Sequence, residues 1–294
     1  VVKAKRIIVI GDVMLDVIVQ PSEPVAPTSD TASNVRIARG GSGANIAVAL
    51  ASAGHRVSYV GAAADDLAGR MCRDELLLAG VDPQIETVRP ATGVVVALVD
   101  AEGQRSMMTS RGANRHLSEA FVLSHLSQPL DHLHVSGYTL LDDASRRAGS
   151  AALAWAREAG CRASVDVCSV GPLFEVTPSV FLAAARDAST VFANEEEAMV
   201  LSGTEDAADA LEVLALLFDE VVVTLGARGA AARRGEQGAS VASRVEEVLD
   251  TTGAGDAATG AYLAARLEGH SMEESLGEAM SASAVVVRGL GSRG

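Results

Sequence analysis

Lysine is nearly absent from this chain: among its 294 residues only Lys3 and Lys5 carry an ammonium group. A phosphate-binding loop of the Gly-x-x-x-x-Gly-Lys type needs a lysine after its second glycine, and protein kinases need one on an internal strand. Neither is available, so any phosphoryl chemistry must neutralise charge with backbone amides, arginines and metal ions. Positive charge is short overall, 24 Lys and Arg against 38 Asp and Glu, for a formal net charge of −14. That balance argues against a nucleic-acid or anionic-membrane partner. Cys72, Cys161 and Cys168 are few, odd in number and without metal-ligand spacing. They read as reduced thiols in a cytoplasmic protein. No apolar run approaches the length of a membrane span. Ile7-Ile8-Val9-Ile10 follows basic residues but is too short for a signal peptide, and reads as a buried first strand. Aromatic residues are only 3% of the chain, which leaves no clear stacking platform for a nucleobase.

Apolar residues make up 48% of the chain and charged residues 21%, the balance of a globular protein. The length suits one large α/β domain. From residue 131 onward strand-like and helix-like segments alternate. Strands are expected at 131–137, 162–167, 189–193, 220–224 and 245–249. Helices are expected at 143–159, 178–186, 206–218, 257–267 and about 272–287. Repeated units of this length predict a mostly parallel sheet with helices on both faces. Residues 230–241 read as a surface hairpin. Ligands of such sheets sit at the carboxyl ends of the strands. That rule places Asp166, Asn194, Thr224 and the turn 250–256 at one site. His132 and His134 share a strand face, but no third ligand lies nearby in sequence, so no metal centre is expected there.

The first forty-five residues offer further candidates. Asp12 follows Gly11 in a turn and fits either turn chemistry or a ligand contact. Asp16 interrupts an apolar strand, where a carboxylate needs a partner such as a polyol. Residues 31–39 can pair with 13–20 in a small sheet standing off the main one. Gly40-Gly41-Ser42-Gly43-Ala44-Asn45 then enters a helix. It is either a helix cap with close packing or a ligand loop with Asn45 on its first turn. Asp65 and Asp66 suit the capping of a helix that follows them.

The most informative stretch is Asp250-Thr251-Thr252-Gly253-Ala254-Gly255-Asp256-Ala257. It opens an alanine-rich helix, and its glycines leave N–H groups free to approach an anion at the helix N-terminus. Asp256 works against anion binding unless it takes a proton from an attacking hydroxyl. General base and anion hole then lie within one turn, from the carboxylate of Asp256 and the amides of Gly253, Ala254 and Gly255. The same glycines match the Gly-x-Gly-x-x-Ala dinucleotide pattern, but no complete βαβ unit follows, so that reading fails. Asn194 and Glu197 lie one helical turn apart. They either order a hydrated Mg²⁺ or form an ordinary N-cap.

Two signatures carry a family resemblance, Gly40 to Asn45 early and Asp250 to Ala257 late. Between them lie Val60-Gly61 with Asp65-Asp66 and Gly69, Gly80-Val81-Asp82, Gly112-Ala113-Asn114, Asn194 to Glu197, and Thr224-Leu225-Gly226 with Gly229. Together they resemble the ribokinase-like PfkB family of carbohydrate kinases over nearly the whole chain. The resemblance implies a ribokinase-like α/β domain over residues 1–294 with a β-sheet lid from strands at about 13–20, 31–38 and 94–110. It implies ATP as phosphoryl donor with Mg²⁺, and a sugar bound between lid and core. Asp16, Gly41 and Asn45, with Asp12 and Gly40 beside them, would contact the sugar. Asn194, Thr224, Gly226 and Gly229 would bind nucleotide, and Glu197 would hold Mg²⁺ through water. Asp250 and the Thr252 carbonyl would hold a monovalent cation, K⁺ in many members. A homodimer formed through the lid is a further implication. Met14, Ser42, Gly137, Cys168 and Ala258 depart from residues common among ribokinases or elsewhere in the family. Those departures argue against ribose and leave other sugars, sugar acids and nucleosides open. A nucleoside kinase and a non-catalytic nucleotide or sugar sensor are the alternatives.

Overall fold

The run Arg6–Ile10 forms strand β1, and its apolar side chains set the layering of the molecule. Ile7 and Val9 enter one core layer, Ile8 and Ile10 the other. A strand buried on both faces has to lie inside a sheet that is covered on both sides. The computed structural model, which describes residues 3–100, 105–243 and 253–287, has that arrangement.

In chain order the strands that follow are β2 (Met14–Pro21), β3 (Ser33–Gly40), β4 (Arg56–Ala63), β5 (Asp82–Thr87), β6 (Gly93–Val99) and β7 (Arg105–Ser110). Then come β8 (His132–Ser136), β9 (Ala163–Asp166), β10 (Thr190–Asn194), β11 (Glu220–Thr224), β12 (Ala230–Arg234) and β13 (Gln237–Val241). They build a nine-stranded sheet in the order β13-β12-β11-β10-β9-β8-β1-β4-β5 and a four-stranded sheet in the order β3-β2-β6-β7. From β11 to β5 every pairing in the larger sheet is parallel. The expected α/β architecture with a small β-sheet lid is the one observed.

Two features differ from the sequence reading. The hairpin at 230–241 is not a surface appendage: β12 pairs antiparallel with β11 and extends the main sheet, burying Ala230 and Ala232. Strand β5 and the helix Val170–Val176 carry too weak an apolar pattern to be anticipated, with only Ile85 and Leu173 buried in them. The strand expected at 245–249 lies outside the described residues.

Two helices position the site. Ser42–Ser52 leaves the first glycine loop, and Ala254–Glu268 leaves the second. They pack side by side because their contact residues are small: a Cβ added to Gly260 would lie 2.5 Å from that of Ala49. Close approach of the axes brings the two N-termini, and the side chains on their first turns, to the same point.

The smaller sheet covers this point. In its register Asp16 of β2 stands opposite Val95 of β6, and Val95 opposite Thr109 of β7. All of them line a cleft of about 740 Å³ between the sheets, together with Asp256.

Candidate active site

Asp256 sits in the first turn of its helix, with Gly253 at the N-cap in the left-handed region at φ 78°. A side chain at that φ is strained, so glycine suits the turn. A Cβ built on Gly255 meets nothing within 4 Å, so the backbone there faces open space. The first amides of the helix have no intrahelical acceptor and can receive an anion. Gly253, Gly255 and Asp256 line the cleft.

The Asp256 carboxylate accepts a hydrogen bond from Asn45 Nδ2 at 2.8 Å, across 211 positions of sequence. Asn45 is held in turn, because Arg39 Nη1 donates to its Oδ1 at 3.0 Å. The amide therefore points its NH₂ group at Asp256. Burial pushes the Asp256 carboxyl above the ordinary carboxylate range. Hydrogen bonds from Asn45 and Ser42 oppose the rise, the negative charge of Asp12 adds to it, and Arg39 opposes it. A carboxylate raised in this way is better matched to taking up a hydroxyl proton than an exposed carboxylate is, which is a property a general base would need.

The expected sugar-binding residues gather beside Asp256. Asp12 is buried, accepting from Gly43 N at 3.2 Å and Ser136 Oγ at 3.3 Å. Its turn role and its place in the cleft are therefore both real. The Asp16 carboxylate lies over Gly40, where an added Cβ would come within 2.1 Å of Oδ2. Gly40 thus serves by having no side chain, while Asp16 lines the cleft. Gly41 has φ +95°, and an added Cβ would meet the Asp12 carbonyl at 2.6 Å. The Gly40–Asn45 loop is consequently both a close-packed helix entry and a cleft wall.

A second carboxylate group lies at the ends of β9 and β10. Asn194 and Glu197 form a capping box: Asn194 N donates to Glu197 Oε2 at 2.8 Å, and Glu197 N donates to Asn194 Oδ1 at 2.9 Å. Asp66 caps its helix similarly, accepting from Gly69 N at 2.8 Å. Asp166 accepts from Cys168 N at 3.2 Å and from the Thr259 side chain. Burial drives the Asp166 carboxyl well up, and the charges of Glu197 and Asp256 drive it further. Glu197 is raised first by burial too, against the stabilising Asn194 amide, with Glu196 and Asp256 adding. These hard oxygen donors suit a cation such as Mg²⁺, which would relieve their repulsion. Among the described residues no group of three or more His, Cys, Asp or Glu is arranged to hold a metal.

Asn194, Glu197 and Thr224 line the cleft, whereas Gly226 and Gly229 do not. Those two glycines instead shape the β11–β12 turn, where Leu225 N donates to Gly229 O at 2.7 Å. Asp250 and Thr252 lie outside the described residues. His132 and His134 do share a face, and both are bonded to Ser164 Oγ at 2.8 Å.

Sequence reading missed Arg39, Thr259 and Arg111. Arg39 looks like one more polar residue of an exposed strand, yet its side chain is 1% exposed. Its only signal is its place directly before the glycine loop. Thr259 lies on the second turn of an alanine-rich helix and had no signal of its own. Arg111, in the Arg-Gly-Ala-Asn run after β7, lines the cleft from the lid side.

A family profile described as pfkB family carbohydrate kinase matches residues 4–294. The chain is 28% identical to ribokinase from Haemophilus influenzae over 297 residues, covering 97% of this chain and 94% of that one. It is similar to the structure of adenosine kinase from Sinorhizobium meliloti, with TM-score 0.87, 27% identity and coverage of 99% and 96% of the two chains. A fructokinase double mutant from Vibrio cholerae O395, with fructose, ADP and potassium ion bound, has TM-score 0.81, 25% identity and coverage of 99% and 95%.

Proposed function

This chain belongs to the pfkB family of carbohydrate kinases and is an ATP-dependent kinase of that class, from which we propose that it phosphorylates a hydroxymethyl group of a sugar with Asp256 as general base. The observation that carries the reading is the 2.8 Å bond between Asn45 Nδ2 and Asp256 Oδ2. It joins a polyol-facing loop to an anion-binding turn, which is what in-line phosphoryl transfer to a hydroxyl needs.

In this reading the acceptor hydroxyl lies against Asp256, oriented by Asp16 and Asn45. As its oxygen bonds to the γ-phosphorus, its proton passes to the Asp256 carboxylate and the bond to the ADP oxygen breaks. The amides of Gly253, Ala254 and Gly255 receive the charge on the transferring group. Thr224 and Asn194 flank the nucleotide side of the cleft, and Gly226 and Gly229 shape the turn beside it. Glu197 and Asp166 would hold a hydrated Mg²⁺, which would supply the charge neutralisation that the near-absence of lysine leaves open. Asp250 and the Thr252 carbonyl are assigned to a monovalent cation, so K⁺ should raise activity relative to Na⁺, and equal rates would count against that assignment. The two sheets act as one catalytic unit, with the smaller sheet as lid. Val35 and Ile37 on β3 and Met107 and Met108 on β7 are each about half exposed, which suits pairing of two lids in a homodimer.

A coupled assay of ADP release across sugars, sugar acids and nucleosides tests the reading. Release with sugars is the expected result. Release with nucleosides alone would assign a nucleoside kinase, and tight binding without ADP release from any acceptor would assign a sensor. Among the described residues no helix is long and apolar enough to cross a membrane.

A further inference from the structure

The charges lining the cleft are strongly unequal. Asp12, Asp16, Asp166, Glu175, Glu197 and Asp256 line it, and among its described lining residues the only Lys or Arg is Arg111. A neutral polyol is recognised by carboxylates and amides and requires no guanidinium. The place and state of this one cation therefore bear on which substrate the site takes.

Strand alternation sets its place. Met107 and Thr109 of β7 and then Arg111 recur at period two, and all three line the cleft. Thr109 stands opposite Val95, and Val95 opposite Asp16, so Arg111 continues the sugar-facing surface of the lid. It is remote in sequence and element from Thr224 and Ala230 on the nucleotide side.

Its bonding is incomplete. The guanidinium lies over the Tyr138 ring, 4.6 Å from the centroid, and Nη2 donates to the Tyr138 carbonyl at 3.2 Å. Nε is buried and makes no hydrogen bond. Asp142 stands 4.0 Å from Nε, an ion pair that it shares with Arg115 at 2.7 Å. Tyr138 and its carbonyl hold the fork in place, and Asp142, shared with Arg115, neutralises it only in part. With Nε buried, a guanidinium preorganised in this way can present its Nη edge to a planar anion that accepts two parallel bonds. In a cleft with this many carboxylates a single negative charge is tolerated better than the two of a phosphate ester.

Resting on the kinase reading above, we propose that the acceptor is a sugar acid, with its carboxylate paired to Arg111 and its hydroxymethyl group directed to Asp256. Arg111 is then the specificity-determining residue that separates polyhydroxy acids from neutral sugars of the same skeleton.

The test compares ADP release with aldonates and 2-oxoaldonates, the matched neutral aldoses and ketoses, and the matched sugar monophosphates. Wild-type enzyme should prefer the acid over the neutral analogue in kcat/KM. Arg111→Gln should reduce that preference roughly 10- to 100-fold, chiefly through KM, the effect of losing a hydrogen-bonded charge partner. Arg111→Lys, which keeps charge but not the fork, should fall between. A neutral sugar as best substrate, with a preference unmoved in Arg111→Gln, overturns the proposal. Preference for the monophosphates overturns the carboxylate assignment. Calorimetric titration of the acid into both proteins, each checked for an unchanged melting temperature, separates this proposal from the kinase reading. Binding lost in Arg111→Gln without any ADP release would sink the kinase and keep the anion site. Equal binding to both proteins would sink the anion site.

Discussion

Two buried polar clusters sit on the same pair of strands, one pleat repeat apart. At one level His134 of β8 stands opposite Ser164 of β9, and His132 joins them. At the next level Ser136 stands opposite Asp166, and Glu197 and Asp256 approach from neighbouring elements. The histidines sit inside the sheet, enclosed by strands, and share one hydroxyl. Burial pushes both imidazoles down to about 3, with Arg162 adding at His132 and His132 adding at His134. They are held neutral, which is a packing solution. The carboxylates sit at the strand ends, where the sheet stops and the cleft begins, and repel one another across it. A shift of two residues along a strand separates a cluster closed inside the sheet, where the histidines share Ser164 and His134 Nε2 is left without a hydrogen bond, from carboxylates that open on the cleft.

The largest effect that can test this contrast is loss of the proposed base. Asp256→Asn should lower turnover by about 10² to 10⁴ or more, while the Kd for ATP by calorimetry stays near the wild-type value. Retention of near-normal turnover would remove Asp256 from the mechanism.

Next comes the packing that aligns the two loops. Gly260→Val forces the helices apart where Ala49 is already in contact, and should cost about 1–3 kcal/mol of stability. Turnover should fall with it, because Asn45 and Asp256 separate. Denaturant melts combined with kinetics check both parts, and a destabilised variant with unchanged kcat would break the link between helix packing and the site.

Ser164→Ala removes the shared hydroxyl and leaves both imidazoles short of a partner. It should cost about 1–3 kcal/mol with kcat unchanged. A drop in kcat without a drop in stability would mean that the histidine level is functional after all.

The two clusters also answer acid with opposite signs. The native histidines bind fewer protons than the unfolded ones, so stability is lost as pH falls from about 6.5 toward 3. Asp166 is raised, so its native form binds more protons. Acidification below its folded pKa restores stability until about pH 4, where the unfolded carboxyl also protonates. Asp166→Asn deletes that compensation. Its stability at neutral pH should rise by about 1–2 kcal/mol, and should then fall from pH 7 to 5 more steeply than in wild type, by up to about 1.4 kcal/mol per unit. Parallel curves would contradict the raised Asp166.

Much of this was legible in the chain itself. The absent lysines required backbone amides as charge acceptors, and Gly253 to Asp256 was the stretch able to provide them. The αβ alternation located the carboxyl ends of the strands, hence Asp166, Asn194 and Thr224. What escaped is what depends on contacts between distant segments. Nothing in residues 31–39 says that Val35 and Ile37 stay exposed while Arg39 is buried. That follows from Asn45 and Glu75 meeting the end of β3 in three dimensions. Of the two readings of Asn194 and Glu197, the N-cap is the one observed, as a capping box that uses Glu197 Oε2. The edge strand β5 was missed because an edge needs little apolar surface.

The most direct measurement of the central claim is the pH profile of kcat/KM on the best acceptor, in wild type and in the residual activity of Asp256→Asn. A base raised by burial must lose its proton before it acts, so rate should fall with acid on a limb above the ordinary carboxylate pKa of about 4, and the limb should vanish in Asp256→Asn. The same limb persisting in Asp256→Asn would assign the proton transfer to another group and contradict the account.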